Sequence, residues 1–165
     1  MMSKFKIYVK SILIPVVVGL IIGAITSNSI KYNTLIKPVL APPSILFPII
    51  WTILYVLMGI SYGRLESKFL VDSEIKFIYY VQLFFNALWS IIFFTFEWRL
   101  FAFIWLIILI LLITIMIIKF YNKDKVAGLI QIPYLLWALF ASYLNLSIYL
   151  LNRWIKIVEL DSLTI

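Results

Sequence analysis

The sequence predicts an all-α membrane protein, a bundle of five transmembrane helices. Hydrophobic residues fill 65 % of the 165 positions and charged ones only 13 %, more apolar surface than a soluble chain of this length can bury. Five uncharged stretches run through Ser11–Ile30, Ser44–Gly63, Phe77–Phe96, Leu100–Ile118 and Val126–Asn152. Each reaches the roughly twenty residues that carry a helix across a hydrocarbon core. The runs are continuously apolar, without the alternation that marks the strands of a membrane barrel. The length suits one membrane domain, residues 1–152, followed by a mixed C-terminal tail, 153–165.

The first span follows a basic segment, MMSKFKIYVK, so it has a rival reading as a signal peptide. The sequence AIT at 24–26 is a poor cleavage site, which favours a retained helix. Between the first and second spans lies KPVLAPPSILFPIIW, with Pro38, Pro42, Pro43 and Pro48. Proline fixes φ and removes a backbone donor, so this cluster forms a stiff connection rather than a helix interior. It is the only loop with room for structure of its own. The remaining three loops are short, and short loops predict antiparallel neighbours.

Loop charge sets the expected orientation. The N-terminal segment and the second and fourth loops carry nine Lys and Arg, against five in the first and third loops and the tail. That bias puts the N-terminus inside and the proline-rich loop outside. The net charge of +7 is thereby accounted for by the flanks of the spans, and no basic run is interleaved with aromatics as nucleic-acid binding requires. The absence of cysteine and histidine excludes disulfides, thiol catalysis, and zinc or haem ligation through those side chains.

Small residues sit at helix spacing in the first two spans, Gly19 with Gly23 and Gly59 with Gly63. Such pairs let helix backbones approach closely, either within the bundle or between two copies. Polar residues mark the third and fifth spans. Gln82, Asn86, Trp89 and Phe93 share one helical face, and Asn86 lies about 15 Å into its span. An amide at that depth needs a partner, and two readings stand open: a hydrogen bond between helices or a contact to a ligand. Tyr134, Trp137, Ala141 and Asn145 share a face of the fifth span, where Pro133 predicts a kink. Trp98 and Trp154 suit the interfacial belts, whereas Trp51, Trp89, Trp105 and Trp137 lie deeper. Deep indoles near one amide match the composition of a small-molecule site. Every carboxylate lies near a loop or in the tail, which disfavours a pump driven by an intramembrane acid.

The segments YNTLIKPVLAPPS, FPIIWTILYVLMGIS, QLFFNALWSIIFF and PYLLWALFASYLN resemble the tryptophan-rich sensory protein and translocator protein family, also called the peripheral benzodiazepine receptor family. The resemblance covers roughly residues 10 to 152. It implies a five-helix bundle, usually dimeric, that binds porphyrins, isoquinoline or benzodiazepine-type drugs and, in animals, sterols, beneath the loop joining the first two helices. The prolines then act as a rigid lid, since a preset loop lowers the ordering cost of binding. Carried over by motif, the resemblance makes ligand-binding candidates of Tyr32 and Pro43 in the loop, Trp51 and Tyr55 in the second span, Asn86 and Trp89 in the third, and Tyr134, Trp137 and Ala141 in the fifth. The chain departs from the family pattern at Lys31 and Ile45, where tryptophan is common, and at Trp105, often acidic.

The expected function is therefore a receptor or carrier in a bacterial cell membrane, in contact with the lipid bilayer, for porphyrins and similar flat hydrophobic molecules. A homodimer is the expected assembly, with neither a nucleic-acid partner nor a cofactor. The alternative is an enzyme that promotes light-dependent porphyrin breakdown through Trp51 and Trp137. The core offers no acid–base pair or metal set for it, so the chemistry has to come from the porphyrin and oxygen.

Overall fold

The computed structural model describes residues 3–27 and 34–162, with side chains up to 153. Five helices long and apolar enough to cross a membrane form the bundle. They are α1 (Lys4–Ser27), α2 (Leu46–Ser67), α3 (Ser73–Ser90, continued by one wide π-turn, Ile91–Thr95), α4 (Arg99–Lys123), and a fifth span made of α5 (Lys125–Ile130) and α6 (Ile132–Ser162). No strand occurs among the described residues. The kink expected from Pro133 is a break, since Gln131 adopts a turn between α5 and α6. α1 begins well before Ser11 because its first basic turns are helical too, and α6 runs on past Asn152.

Around the bundle the spans follow the order α1, α2, α5–α6, α4, α3 and back to α1. Short loops predict that α2 and α3 are close neighbours, and here the structure differs: their backbones approach far less than those of the neighbouring pairs. Bulky side chains fill the space between them. Tyr62 of α2 stacks on Tyr79 of α3 with ring centroids 4.3 Å apart, and the Tyr55 hydroxyl reaches Asn86.

The glycines explain the close approach of α1 and α2. A Cβ on Gly59 falls 2.4 Å from the Ile12 backbone, and one on Gly63 falls 3.2 Å from Ser11 and Tyr8 side-chain atoms. Both therefore serve packing inside the bundle. Toward the other end the helices part. A Cβ on Gly19 runs into the Tyr55 ring, whereas one on Gly23 meets nothing within 4 Å.

The end of the bundle near α1's N-terminus is knitted by charge. Asp124 caps α5 through Ala127 N–H at 3.0 Å and accepts from Arg64 Nε at 2.9 Å. It also pairs with Lys68. Asp72 caps α3 through Ile75 N–H and pairs with Lys123 at 2.9 Å. Acidic caps at helix starts satisfy orphan N–H groups and complement the helix dipole. The Ile75 N–H, with the Lys123 ammonium beside it, holds the Asp72 carboxyl below its ordinary value. Asp124 is only 7 % exposed, and the Arg64 guanidinium, helped by Lys68 and the Ala127 N–H, holds its carboxyl well below the usual carboxylate range.

Two outcomes follow from these contacts. Gly59→Ala drives a methyl into the Ile12 backbone and should lower thermal stability in detergent by about 1–3 kcal/mol, while Gly23→Ala should leave it unchanged. A carboxyl depressed in the fold stabilises above its unfolded pKa, about 3.9, and that contribution is lost as pH falls below it. Acid unfolding of the wild type should therefore steepen below about pH 4, and Asp124→Asn, which keeps the cap but drops the charge, should show a flatter acid limb.

Candidate functional site

A cavity of about 420 Å³ lies where α1 and α2 diverge, bounded by the C-terminal half of α1, the first half of α2 and the end of α3. Gly23 leaves its α1 wall low while Gly19 packs against the Tyr55 ring, and Phe47, Trp51, Tyr55 and Phe94 supply aromatic faces around it. The π-turn matters locally: Ser90 and Phe94, on either side of its start, both reach the cavity. No charged residue is among its lining, counted over the described residues. Thr52 returns its hydroxyl to the Pro48 carbonyl at 2.8 Å, so it adds little free polarity.

The connection between α1 and α2, loop 1, reaches the cavity at Ser44, just before α2. Pro38 and Ala41 bracket a hydrogen-bonded turn at 2.9 Å, and the Pro43 carbonyl accepts from Leu46 N–H at 3.0 Å as α2 begins. Asn152 of α6 holds the loop like a strand partner: its Oδ1 accepts from Ile36 N–H at 3.0 Å and its Nδ2 donates to the Ile36 carbonyl at 2.9 Å. Pro43 itself is exposed. Tyr32 and Lys31 lie outside the described residues.

Behind the cavity wall sits a buried hydrogen-bonded cluster. Tyr55 donates to Asn86 Oδ1 at 2.6 Å, Asn86 Nδ2 donates to the Tyr134 hydroxyl at 2.9 Å, and Tyr134 donates to Gln82 Oε1 at 2.9 Å. Asn86, Tyr134 and Gln82 are each at most 1 % exposed. Both ends of the Asn86 amide are therefore occupied within the protein, and Tyr55 stands between that amide and the cavity. Trp51 links the two zones, with ring centroids 5.8 Å from Tyr55, 5.9 Å from Trp89 and 6.3 Å from Tyr134.

The other candidates gather on the far side of Phe47. Trp89 and Ala141 border a narrow seam against Phe47 and Phe94, and Trp137 meets Phe47 edge-on at 6.0 Å. The Trp137 indole N–H is buried without an acceptor, an uncommon state for a buried donor. Of the sequence candidates, Trp51 and Tyr55 line the cavity directly, Asn86 and Tyr134 lie one layer behind, and Trp89, Trp137 and Ala141 form an adjoining aromatic layer. Phe47, Phe94, Gly19 and Gly23 line the same space without having been singled out for it. The glycine spacing was legible, but its use as an open wall depends on where α1 and α2 separate.

Fold and cavity define a class: an integral multi-pass helical membrane protein with an apolar, aromatic chamber at one end of the bundle. Residues 11–151 match the TspO/MBR family, and the chain belongs to that family. It is similar to the tryptophan-rich protein TspO of Archaeoglobus fulgidus, 40 % identical over 147 residues that cover 87 % of this chain and 95 % of that one. It is also similar to the TspO of Chlorobaculum tepidum, 36 % identical over 73 % of this chain and 78 % of the relative. Protein CrtK of Rhodobacter capsulatus is 35 % identical over 79 % of this chain and 83 % of its own length.

The cluster predicts a ranking. Tyr134→Phe removes two buried hydrogen bonds and Tyr55→Phe one, each worth about 0.6–1.7 kcal/mol in a membrane bundle. Thermal unfolding in detergent should therefore show Tyr134→Phe less stable than Tyr55→Phe; equal stabilities would mean the cluster carries no weight.

Proposed function

We propose that this protein is a membrane receptor or carrier that binds porphyrins and similar flat hydrophobic molecules in the cavity between α1 and α2. The observation that carries the reading is the chamber of about 420 Å³, walled by aromatic rings on one side and by α1, low at Gly23, on the other. Its volume lies in the range of small-molecule sites, about 300–1,000 Å³. A planar ring system stacks against Trp51 and Tyr55 while Gly23 leaves room for its second face. Asn86 and Tyr134 act through Tyr55, whose ring orientation they fix. Trp89, Trp137 and Ala141 are the layer into which a larger ligand extends past Phe47. Pro43 stiffens the loop, and the family resemblance makes Tyr32 a further ligand-binding candidate. The reading extends to a homodimer in a bacterial cell membrane with the N-terminus inside, on the strength of the loop charges and of what the family resemblance implies.

The test is porphyrin titration of purified protein in darkness and under light, with product analysis. Dark binding should saturate and leave the porphyrin intact. Gly23→Leu, which fills the chamber from a position that packs against nothing, should weaken binding at least about tenfold, the equivalent of 1.4 kcal/mol. Unchanged affinity in that variant would remove the chamber as the site. Light-dependent products that disappear in Trp51→Phe and Trp137→Phe would move the assignment to the enzyme alternative.

A further inference from the structure

A second cavity, about 510 Å³, lies at the same end of the bundle but on another face, between the start of α4 and the turns of α6 that carry Tyr149, Asn152 and Arg153. It shares no lining residue with the first. Its character differs as well. Among the described residues, Arg99 and Arg153 face it together with one carboxylate, Glu97.

Arg99 is firmly built in. Its backbone carbonyl accepts from Asn145 Nδ2 at 2.9 Å. Its guanidinium meets Glu97 through Nη2 at 3.2 Å, and the side chain is only 14 % exposed. Nε–H has no hydrogen-bond acceptor among the described residues. A planar guanidinium carries five donors suited to carboxylate or phosphate oxygens, and the Glu97 contact uses one edge. Such a group, mostly withdrawn from water and incompletely satisfied, favours an added anion.

The rest of the cavity suits only one kind of anion. Leu100, Phe101 and Ile104 are about half exposed along α4, and Ile107, Ile108 and Leu111 continue that apolar column along the helix. Trp98, 61 % exposed, sits at the top beside Phe101 with ring centroids 6.2 Å apart. An indole at the head-group level above a lipid-facing helix is the usual interfacial arrangement. A soluble anion gains from the arginines but makes no use of the column below them. A molecule with a phosphate head and acyl chains uses both.

We propose that this cavity is a binding site for an anionic phospholipid, with the head-group phosphate held by Arg99 and Arg153 and an acyl chain laid along Leu100, Ile104 and Ile108. The site is separate from the porphyrin chamber and does not depend on that reading.

The experiment titrates detergent-purified protein with phosphatidylglycerol, with phosphatidylcholine of the same chains, and with inorganic phosphate, following the unfolding temperature. Phosphatidylglycerol should raise it saturably, phosphatidylcholine should require a much higher concentration, and phosphate alone should do nothing. Each arginine beside a head group is worth about fivefold in affinity. Arg153→Gln should therefore weaken the phosphatidylglycerol response about fivefold, and Arg99→Gln at least as much. Arg99→Lys keeps the charge and guards against a folding defect in the glutamine variant; it should retain part of the response. Quenching of tryptophan fluorescence by brominated acyl chains should shrink in Trp98→Phe. Equal responses to the two lipids, or an undiminished response in Arg153→Gln and Arg99→Lys together with unaltered quenching in Trp98→Phe, would overturn the proposal. A full response to inorganic phosphate would overturn it in favour of a soluble-anion site.

Discussion

In lipid, apolar helices gain little by meeting one another, because acyl chains are as apolar as leucine; hydrogen bonds and close packing must fix the arrangement. Here that task falls to the cluster of Tyr55, Asn86, Tyr134 and Gln82, which ties α2, α3 and the fifth span through three buried hydrogen bonds. α2 and α3 approach little backbone to backbone, so their spacing is set by these side chains and by the Tyr62–Tyr79 stack. The cavity depends on that spacing. Its inner wall is the Tyr55 ring, and the ring's position is dictated by the amide behind it.

A second constraint acts at the opposite end. Gly59 and Gly63 bring α1 onto α2, and the ion pairs of Asp124 and Asp72 gather α2, α3, α4 and α5 around the same end. Tight there and parted near Gly23, α1 and α2 form a wedge. The chamber is the open mouth of that wedge. A single architectural choice, small residues at one end and large aromatics at the other, thus yields both a stable base and a hollow top.

Much of this was legible in the sequence because membrane spans are written in long uncharged runs, and the five spans appear close to where those runs predict. The break before Pro133 was legible for a local reason, the missing backbone donor. The inward faces of α3 and α6 were legible from the spacing of Gln82, Asn86 and Trp89 and of Tyr134, Ala141 and Asn145. The neighbour order was not: loop length says that α2 and α3 can lie side by side, but the volume of Tyr55, Tyr62 and Tyr79 decides that they do not. Nor could spacing tell that Asn86 has both amide ends engaged by tyrosines, since the partners come from spans 31 and 48 residues away. The role of Phe47 and Phe94 as cavity lining was hidden for the same reason, because it arises from the π-turn and from the divergence of α1.

The tie between Asn152 and Ile36 has a dynamic consequence. One side-chain amide closes two hydrogen bonds on a single residue of loop 1 while its Nδ2 also bonds the Ile148 carbonyl a turn back along α6 at 2.8 Å. The loop's docked state is therefore borrowed from the helical order of α6 around Asn152. If that turn unwinds, the loop loses its anchor at the same moment, so loop and turn open as one cooperative unit rather than independently. The exchange of one backbone proton, the Ile36 N–H, becomes a reporter of that shared opening, and the fifth span sets how long the proline-stiffened loop stays closed over the bundle.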